Sequence, residues 1–239
     1  MSGTDDFRSV RVSRVTGETR FSIVLGPRRT MSPCVQLPNR ILGHLLDHFC
    51  KGAGLCLSVS SLDWPGSWRF DHVLCEDMGQ LVGRGVARIG AQRAERCGVA
   101  GRAACRAVMD EADVSVVMSM ESRPRVDWSV SAGVDIDGFV DSWYGDDGSF
   151  GGWCSGTNLR QFIDGLALGS LMTLSVTVIR SGNLHHVYEA IFRGLGDAVR
   201  DALGLDAVVG RLPGESSGFA GRPAYEVDDA GDSACDGPA

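Results

Sequence analysis

The sequence predicts an α+β protein built from two similar halves. Segments in which apolar and polar residues alternate precede a segment with helical spacing, and this order occurs twice. The two main helical segments also begin alike, with His72 and Glu76 in one and His185 and Glu189 in the other. A repeated feature on a repeated unit indicates internal duplication. The predicted domains are a first half at 8–100, a second half at 101–210 and a Gly/Ser/Asp/Pro-rich tail at 211–239, expected to be largely disordered.

The individual elements follow from residue periodicity and from glycine-rich breaks. The alternation on either side of Gly17 predicts two strands within 8–25. The segment rich in glycine and aspartate at 133–158 predicts a long loop. The other predicted strands are 55–62, 112–120, 125–132 and 171–180, and the predicted helices are 40–50, 71–90, 158–169 and 185–203.

Composition and charge exclude several classes of protein. Hydrophobic residues make up 44% of the 239 residues and charged residues 22%, as in globular proteins. A net charge of −7 disfavours a protein that binds nucleic acid by neutralising phosphates. The longest uncharged apolar run, from Gly165 to Ile179, is shorter than the ~20 residues of a membrane span. We therefore expect a cytoplasmic protein with no nucleic-acid or membrane partner.

The histidines predict a metal site. The chain has five, in three short clusters that each contain a carboxylate. Imidazole and carboxylate one helical turn apart suit Mn, Fe or Zn, although a single such pair also occurs on solvated helix faces. Two pairs, an adjacent His186 and a further His48 make a metal site the better interpretation. For His44, one turn before His48, the alternatives are support of a ligand, helix capping or packing.

With these motifs, the chain resembles the imidazoleglycerol-phosphate dehydratase family, the dinuclear manganese enzymes of histidine biosynthesis. The resemblance runs from about Arg14 to Leu203, and the motifs agree in order and spacing. It implies two halves that are each a four-stranded sheet backed by helices, of the ribosomal protein S5 domain 2-like type. It also implies a homo-oligomer, a trimer or a 24-subunit shell, with metal sites at subunit boundaries. The matching stretches are RVTGET (14–19), LLDH (45–48), DHVLCED (71–77), GRAACRAVMDEA (101–112), SRP (122–124) and GNLHHVYEAIFR (182–193).

The resemblance also implies the metal ligands, and the chain departs from them at two positions. Of the family's two HHxxE motifs, the first has Val73 as its second residue, and Ser175 replaces a strand histidine. In such a motif the first histidine and the glutamate share a helix face, while the middle histidine points about 100° away. We therefore expect one retained site and one weakened or lost site, holding Mn or alternatively Fe, Zn or Ni. The retained site would comprise His48, His72, Glu76 and His186, and the weakened site would comprise His185 and Glu189.

The substrate residues are likewise implied by the resemblance. Arg102 and Arg123 match arginines that clamp the substrate phosphate, and Arg193 replaces a family lysine; alternatively each is a surface charge. Glu18 matches an active-site glutamate, so Glu18 and Glu189 are the candidate catalytic residues. The segment between His48 and Leu55 is about one helical turn shorter than in the family. The C-terminal phosphate loop, at 212–219, lacks its lysine.

These departures shape the functional expectation. The leading interpretation is a diverged, metal-dependent lyase or dehydratase-like enzyme of specialised metabolism. Its substrate would be a small polar molecule, phosphorylated or nitrogen-heterocyclic. One alternative is an authentic imidazoleglycerol-phosphate dehydratase of histidine biosynthesis. Another is a non-catalytic structural or regulatory homologue.

Overall fold

The computed structural model describes residues 7–28, 31, 35–65, 70–131, 133–145 and 147–205. The predicted tail at 211–239 and the loop at 212–219 lie outside the described residues. The described residues form four helices, α1 (Arg40–Ala53), α2 (Asp71–Cys97), α3 (Gly156–Ser170) and α4 (Leu184–Leu203). The strands are β1 (Val10–Val15), β2 (Arg20–Pro27), β3 (Leu55–Asp63), β4 (Arg102–Met109), β5 (Ala112–Ser119), β6 (Arg125–Val130), β7 (Val140–Tyr144), β8 (Phe150–Ser155) and β9 (Thr173–Arg180).

Two main sheets confirm the predicted α+β fold with helices backing the sheets. The first is antiparallel, in the order β1-β2-β3. The second has the order β4-β5-β9-β6, with β6 parallel to β9 and the other pairs antiparallel. In the described part of the chain the first sheet has three strands rather than the four expected. The connection between β2 and α1 is only partly described.

The four helices form a shared layer between the two sheets. Helix α1 of the first half packs on α4 of the second, and α2 packs on α3. Glycines permit this close approach, since a Cβ at Gly196 of α4 would overlap the carbonyl oxygen of Phe49 in α1. A Cβ at Gly79 of α2 would overlap that of Phe162 in α3. The two halves therefore share one hydrophobic core. None of the described helices combines the length and hydropathy needed to cross a membrane.

Polar caps fix the ends of the two helices that carry the functional residues. The side chain of Asn39 accepts the Leu42 N–H at 3.0 Å and starts α1, which ends at Gly54 in the left-handed conformation. Asn183 accepts the His185 N–H at 2.9 Å and starts α4. His185 therefore lies in the first turn of its helix.

The predicted loop at 133–158 is wrong, because much of it forms the antiparallel β7–β8 hairpin. The hairpin is closed at its base by a hydrogen bond from the Gly156 N–H to the Phe139 carbonyl, 2.8 Å long. Cys154, in strand β8 of the hairpin, is buried beside Cys75 of α2. The hydrogen bond with Cys154, together with burial, raises the pKa of the Cys75 thiol. The hairpin is thus attached to the helix layer rather than projecting freely.

Candidate metal centre

Helices α1 and α4 bring three histidines to one glutamate. His44 Nε2 donates a hydrogen bond of 2.6 Å to Glu189 Oε1, and His48 Nε2 lies 3.2 Å from the same oxygen. His185, one turn before Glu189 on α4, places its Nε2 3.5 Å from that oxygen. The packing of α1 on α4 thus creates a cluster of four side chains from two distant segments. We call it the histidine cluster.

The histidine cluster contains a buried imidazole without a hydrogen bond. The side chain of His48 is 1% exposed, and neither of its ring nitrogens has a well-oriented hydrogen-bond partner among the described residues. Buried polar atoms normally have partners, so this ring is suited to a ligand. Burial on its own would raise the pKa of Glu189, but hydrogen bonds from His185 and His44, together with the nearby His48 imidazole, outweigh it and hold this pKa well below its usual range.

The cluster suits a divalent transition metal. Ligand atoms of His44, His48 and Glu189 all lie within 4.8 Å of one another. Imidazole nitrogens with one carboxylate are the donors that Mn, Fe and Zn accept. A metal would displace the protons that the imidazoles now share with Glu189. A cavity of about 570 Å³ opens beside His44, and one of about 500 Å³ beside His185.

Two further contacts orient His185. Its ring stacks on that of His44, with centroids 5.4 Å apart and planes 23° from parallel. Its Nδ1 donates to Asp141 Oδ2 on β7 at 2.7 Å. The hydrogen bond to Glu189 raises the pKa of His185, burial opposes this, and the hydrogen bond to Asp141 raises it further.

His186 does not join the histidine cluster, although the sequence analysis grouped it with His48. Its Nδ1 donates to Glu111 at 3.1 Å, and Asp110 lies near its other nitrogen, at the β4–β5 turn. Hydrogen bonds from the Asn183 N–H and from His186 lower the pKa of Glu111 to about 2. The predicted grouping does not form within one chain, because α1 packs on the face of α4 that carries His185 and Glu189.

Among the described residues, Asp110, Glu111 and His186 form a second group whose ligand atoms lie within 4.8 Å of one another. His72 and Glu76 lie at the start of α2, outside this group and outside the histidine cluster. Both are exposed, and Glu76 accepts a hydrogen bond of 3.0 Å from Gln80. The next residue, Asp77, accepts hydrogen bonds from Arg14 and Thr19, which anchors the β1–β2 turn to α2. Glu18 in this turn therefore lies near the His72 motif. We call these residues the α2 group.

The predicted phosphate-binding arginines lie elsewhere. Arg102 and Arg123 are exposed at the end of the second sheet where β9 begins, and Thr173 Oγ1 donates to the Arg123 carbonyl at 2.7 Å. The histidine cluster follows the other end of β9, whose eight residues span roughly 23 Å at ~3.3 Å per residue. Arg193 is half-buried on α4, where its backbone faces Gly52 of α1.

Two residues of this arrangement, His44 and Asp141, were not predicted from the sequence. His44 was not assigned as a ligand, although its spacing from His48 places both on one helix face. The segment after His48 was expected to be about one helical turn shorter than in the family, and His44 precedes His48 by four residues, which is about one turn. When the family motif is aligned at His44 instead of His48, this segment is no longer short. No sequence signal marked Asp141, because it lies in the segment interpreted as a loop.

Comparisons with known proteins identify the family. The model of imidazoleglycerol-phosphate dehydratase matches residues 38–199, more than half of the chain. The chain belongs to the imidazoleglycerol-phosphate dehydratase family. The imidazoleglycerol-phosphate dehydratase of Bordetella pertussis is 26% identical over 204 residues, covering 85% of this chain and 94% of that protein. The enzyme of Methylorubrum populi is 26% identical over 209 residues, with coverages of 86% and 96%.

Solved structures of the family have the same fold. Imidazoleglycerol-phosphate dehydratase from Pyrococcus furiosus superposes with a TM-score of 0.62 at 22% identity, covering 89% of this chain and all of that chain. The Staphylococcus aureus enzyme gives a TM-score of 0.60 at 20% identity, with coverages of 82% and 98%. The two-half fold implied by the motifs is therefore confirmed, and the family assignment makes this a chain of the dehydratase, or carbon–oxygen lyase, type.

Proposed function

We propose that the protein is a metal-dependent dehydratase that acts on imidazoleglycerol phosphate in histidine biosynthesis. The observation that carries the proposal is the convergence of His44, His48 and His185 on Glu189, with both nitrogens of buried His48 lacking a hydrogen bond. Manganese is the metal we expect, with Fe, Zn and Ni as alternatives. A metal held there would act as a Lewis acid toward a nitrogen or oxygen of the substrate.

The protein's own residues supply binding and proton transfer. Glu189 holds the imidazoles together and remains ionised because its pKa is lowered. Glu18 is exposed in a turn anchored by the hydrogen bonds to Asp77, so it can accept or return a proton. Arg102 and Arg123 offer guanidinium forks that suit a phosphate.

The separation of these groups within one chain supports an oligomeric enzyme. The α2 group of one copy would meet the histidine cluster of another, which brings His72, Glu76 and Glu18 to the metal. The two arginines would approach in the same way. We therefore propose a homo-oligomer, a trimer or a larger shell, whose sites form between subunits.

Turnover of imidazoleglycerol phosphate by metal-stripped protein, with and without added manganese chloride, tests the proposal. We expect activity only with metal, and its loss in Glu189→Gln. The matched control is Glu95→Gln, at an exposed position late in α2, which should retain full activity. Metal binding without turnover would overturn the proposed substrate. Absence of metal binding would overturn the metal centre itself.

A second candidate, a diverged enzyme with another substrate, is favoured by two positions. Val73 follows His72 and offers no ligand atom, and Ser175 lies on the sheet face opposite the core, between Val117 and Asp127 in register. The expected consequence is one tightly bound metal per chain. Elemental analysis tests this: Val73→His with Ser175→His should raise the bound metal toward two equivalents. A wild-type protein that already binds two tightly contradicts the weakened site.

A further inference from the structure

The histidine cluster has a neighbour that neither the motifs nor the family match assigns. Asp141 lies on β7, 44 residues before His185, and its Oδ2 accepts the hydrogen bond from His185 Nδ1 at 2.7 Å. The other ring nitrogen of His185 faces Glu189 at 3.5 Å. The imidazole is thus held between two carboxylates, one on each side of the ring.

We propose that Asp141 is a positioning residue that fixes the ring and the Nδ1-protonated tautomer of His185. This inference deepens the proposed function, since His185 would then present the lone pair of Nε2 to the metal. A carboxylate suits the task because it only accepts hydrogen bonds when ionised, so it selects the tautomer with a proton on Nδ1. Carboxylate–histidine–metal arrangements of this kind typically raise metal affinity.

The hairpin that carries Asp141 is anchored rather than free. In the register of β7 and β8, Asp141 is directly opposite Cys154, which is buried against α2. At the base of the hairpin, the buried Tyr188 hydroxyl bonds to the carbonyl oxygens of Ile136 and Gly156, at 3.0 and 3.1 Å. Tyr188 lies on α4, one turn after His185. The carboxylate and the imidazole therefore occupy parts of one packed unit.

Asp141 and His185 lie beside a cavity that could hold a ligand. Asp141 and His185 both line the cavity of about 500 Å³, together with Gly182, Asn183 and Leu184 at the start of α4. Both side chains are partly exposed, so neither is needed to fill the core. Replacement of Asp141 should therefore leave the folded protein intact.

The test uses the full-length protein, with Asp141→Asn, Asp141→Ala and the control Asp147→Asn. Asp147 lies in the turn of the same hairpin and contacts Ser149, so the control removes an equal charge without touching His185. The first readout is the ring ¹⁵N resonance of His185 in metal-free protein at about pH 9, where a free imidazole is neutral. Solid-state NMR makes this possible at any oligomer size, and a His185→Gln variant assigns the signal.

We expect a protonated Nδ1 in the wild type and in Asp147→Asn, and loss of the Nδ1 proton in Asp141→Ala, where the remaining carboxylate, Glu189, faces Nε2. The second readout is the dissociation constant of manganese chloride. We expect it to rise about 10–100-fold in Asp141→Ala and less in Asp141→Asn, whose amide oxygen still accepts the Nδ1 proton. A wild type with no proton on Nδ1, or equal manganese affinity in Asp141→Ala, overturns the inference. A wild type with the expected tautomer that binds no manganese overturns the proposed metal centre instead.

Discussion

The contact between α1 and α4 should be the most sensitive packing contact for the metal centre, and Gly196→Ala tests it. An added Cβ would overlap the Phe49 carbonyl oxygen and lie 2.9 Å from the Ala53 nitrogen. Both atoms belong to the α1 backbone, which cannot rotate away as a side chain can. The helices must then separate by on the order of 1 Å to restore ordinary van der Waals distance.

The expected magnitude combines two opposing effects. Overpacking a core costs about 1–3 kcal/mol, and a rigid backbone neighbour favours the upper part of this range. Alanine in place of glycine returns about 1 kcal/mol of helix propensity. The net loss is therefore about 1–2 kcal/mol, which lowers Tm by roughly 2–8 °C in a protein of this size.

The functional effect should exceed the effect on stability. His44 and His48 lie on α1, whereas His185 and Glu189 lie on α4, so a separation of the helices disperses the ligands. Scanning calorimetry and manganese titration measure the two effects, with Gly17→Ala as a control because nothing lies within 4 Å of an added Cβ there. If Gly196→Ala binds manganese and melts as the wild type does, the helix contact does not determine the geometry of the site.

Three further predictions concern assembly, acid stability and the hairpin. His72→Ala and Glu189→Gln should each be inactive alone, but mixed subunits should recover about one quarter of wild-type activity if each site joins two chains at random; no recovery would mean that sites form within a chain. Hydrogen bonds from Arg106 lower the pKa of Asp113 in the folded protein. Asp113 therefore contributes fully to the free energy of unfolding above about pH 3.9, the pKa of an aspartate in the unfolded chain. This contribution is lost as the pH falls through the lower pKa of the folded state. The free energy of unfolding should therefore fall less steeply with decreasing pH in Asp113→Asn than in the wild type, and an unchanged pH dependence would contradict this. Tyr188→Phe should lower the free energy of unfolding by about 1–2 kcal/mol in urea, because the single hydroxyl proton that the carbonyls of Ile136 and Gly156 share is lost; an unchanged midpoint would show that water replaces it.

Residue periodicity and helix caps predicted the strands and helices in which the local sequence favours the conformation that the structure has. Strands β1 and β2 alternate on either side of a turn, and α4 begins after Asn183 and ends at Gly204, both favourable caps. Strand β4 was not predicted, since RAACRAVM is rich in alanine and arginine. Its conformation depends on pairing with β5 and packing on α4, which no short window of sequence contains.

The metal centre likewise combines features of one helix, which the sequence predicts, with contacts between two helices, which it does not. The pairing of His185 with Glu189 is a property of one helix, and its spacing alone predicted a shared face. Which other histidine approaches that face depends on how α1 packs on α4, and this is set by close contacts at Gly52 and Gly196. The expected grouping of His48 with His186 therefore could not be judged from helix geometry alone.

The duplicated fold also bears on the kind of assembly that can complete the site. Each half contributes one motif at the start of a helix, but the two motifs lie in different surroundings: His72 and Glu76 are exposed at the start of α2, whereas Glu189 is buried against α1. In the proposed enzyme, the α2 group of one subunit meets the histidine cluster of the next, so the contact joins unlike surfaces. A contact between two separate surfaces closes into a ring, as in a trimer, or extends into an open filament. A two-fold dimer can also bring unlike groups together, but only when both groups lie within one surface patch that contacts its own copy. The proposed trimer therefore requires that the α2 group and the histidine cluster lie on separate surfaces of the subunit.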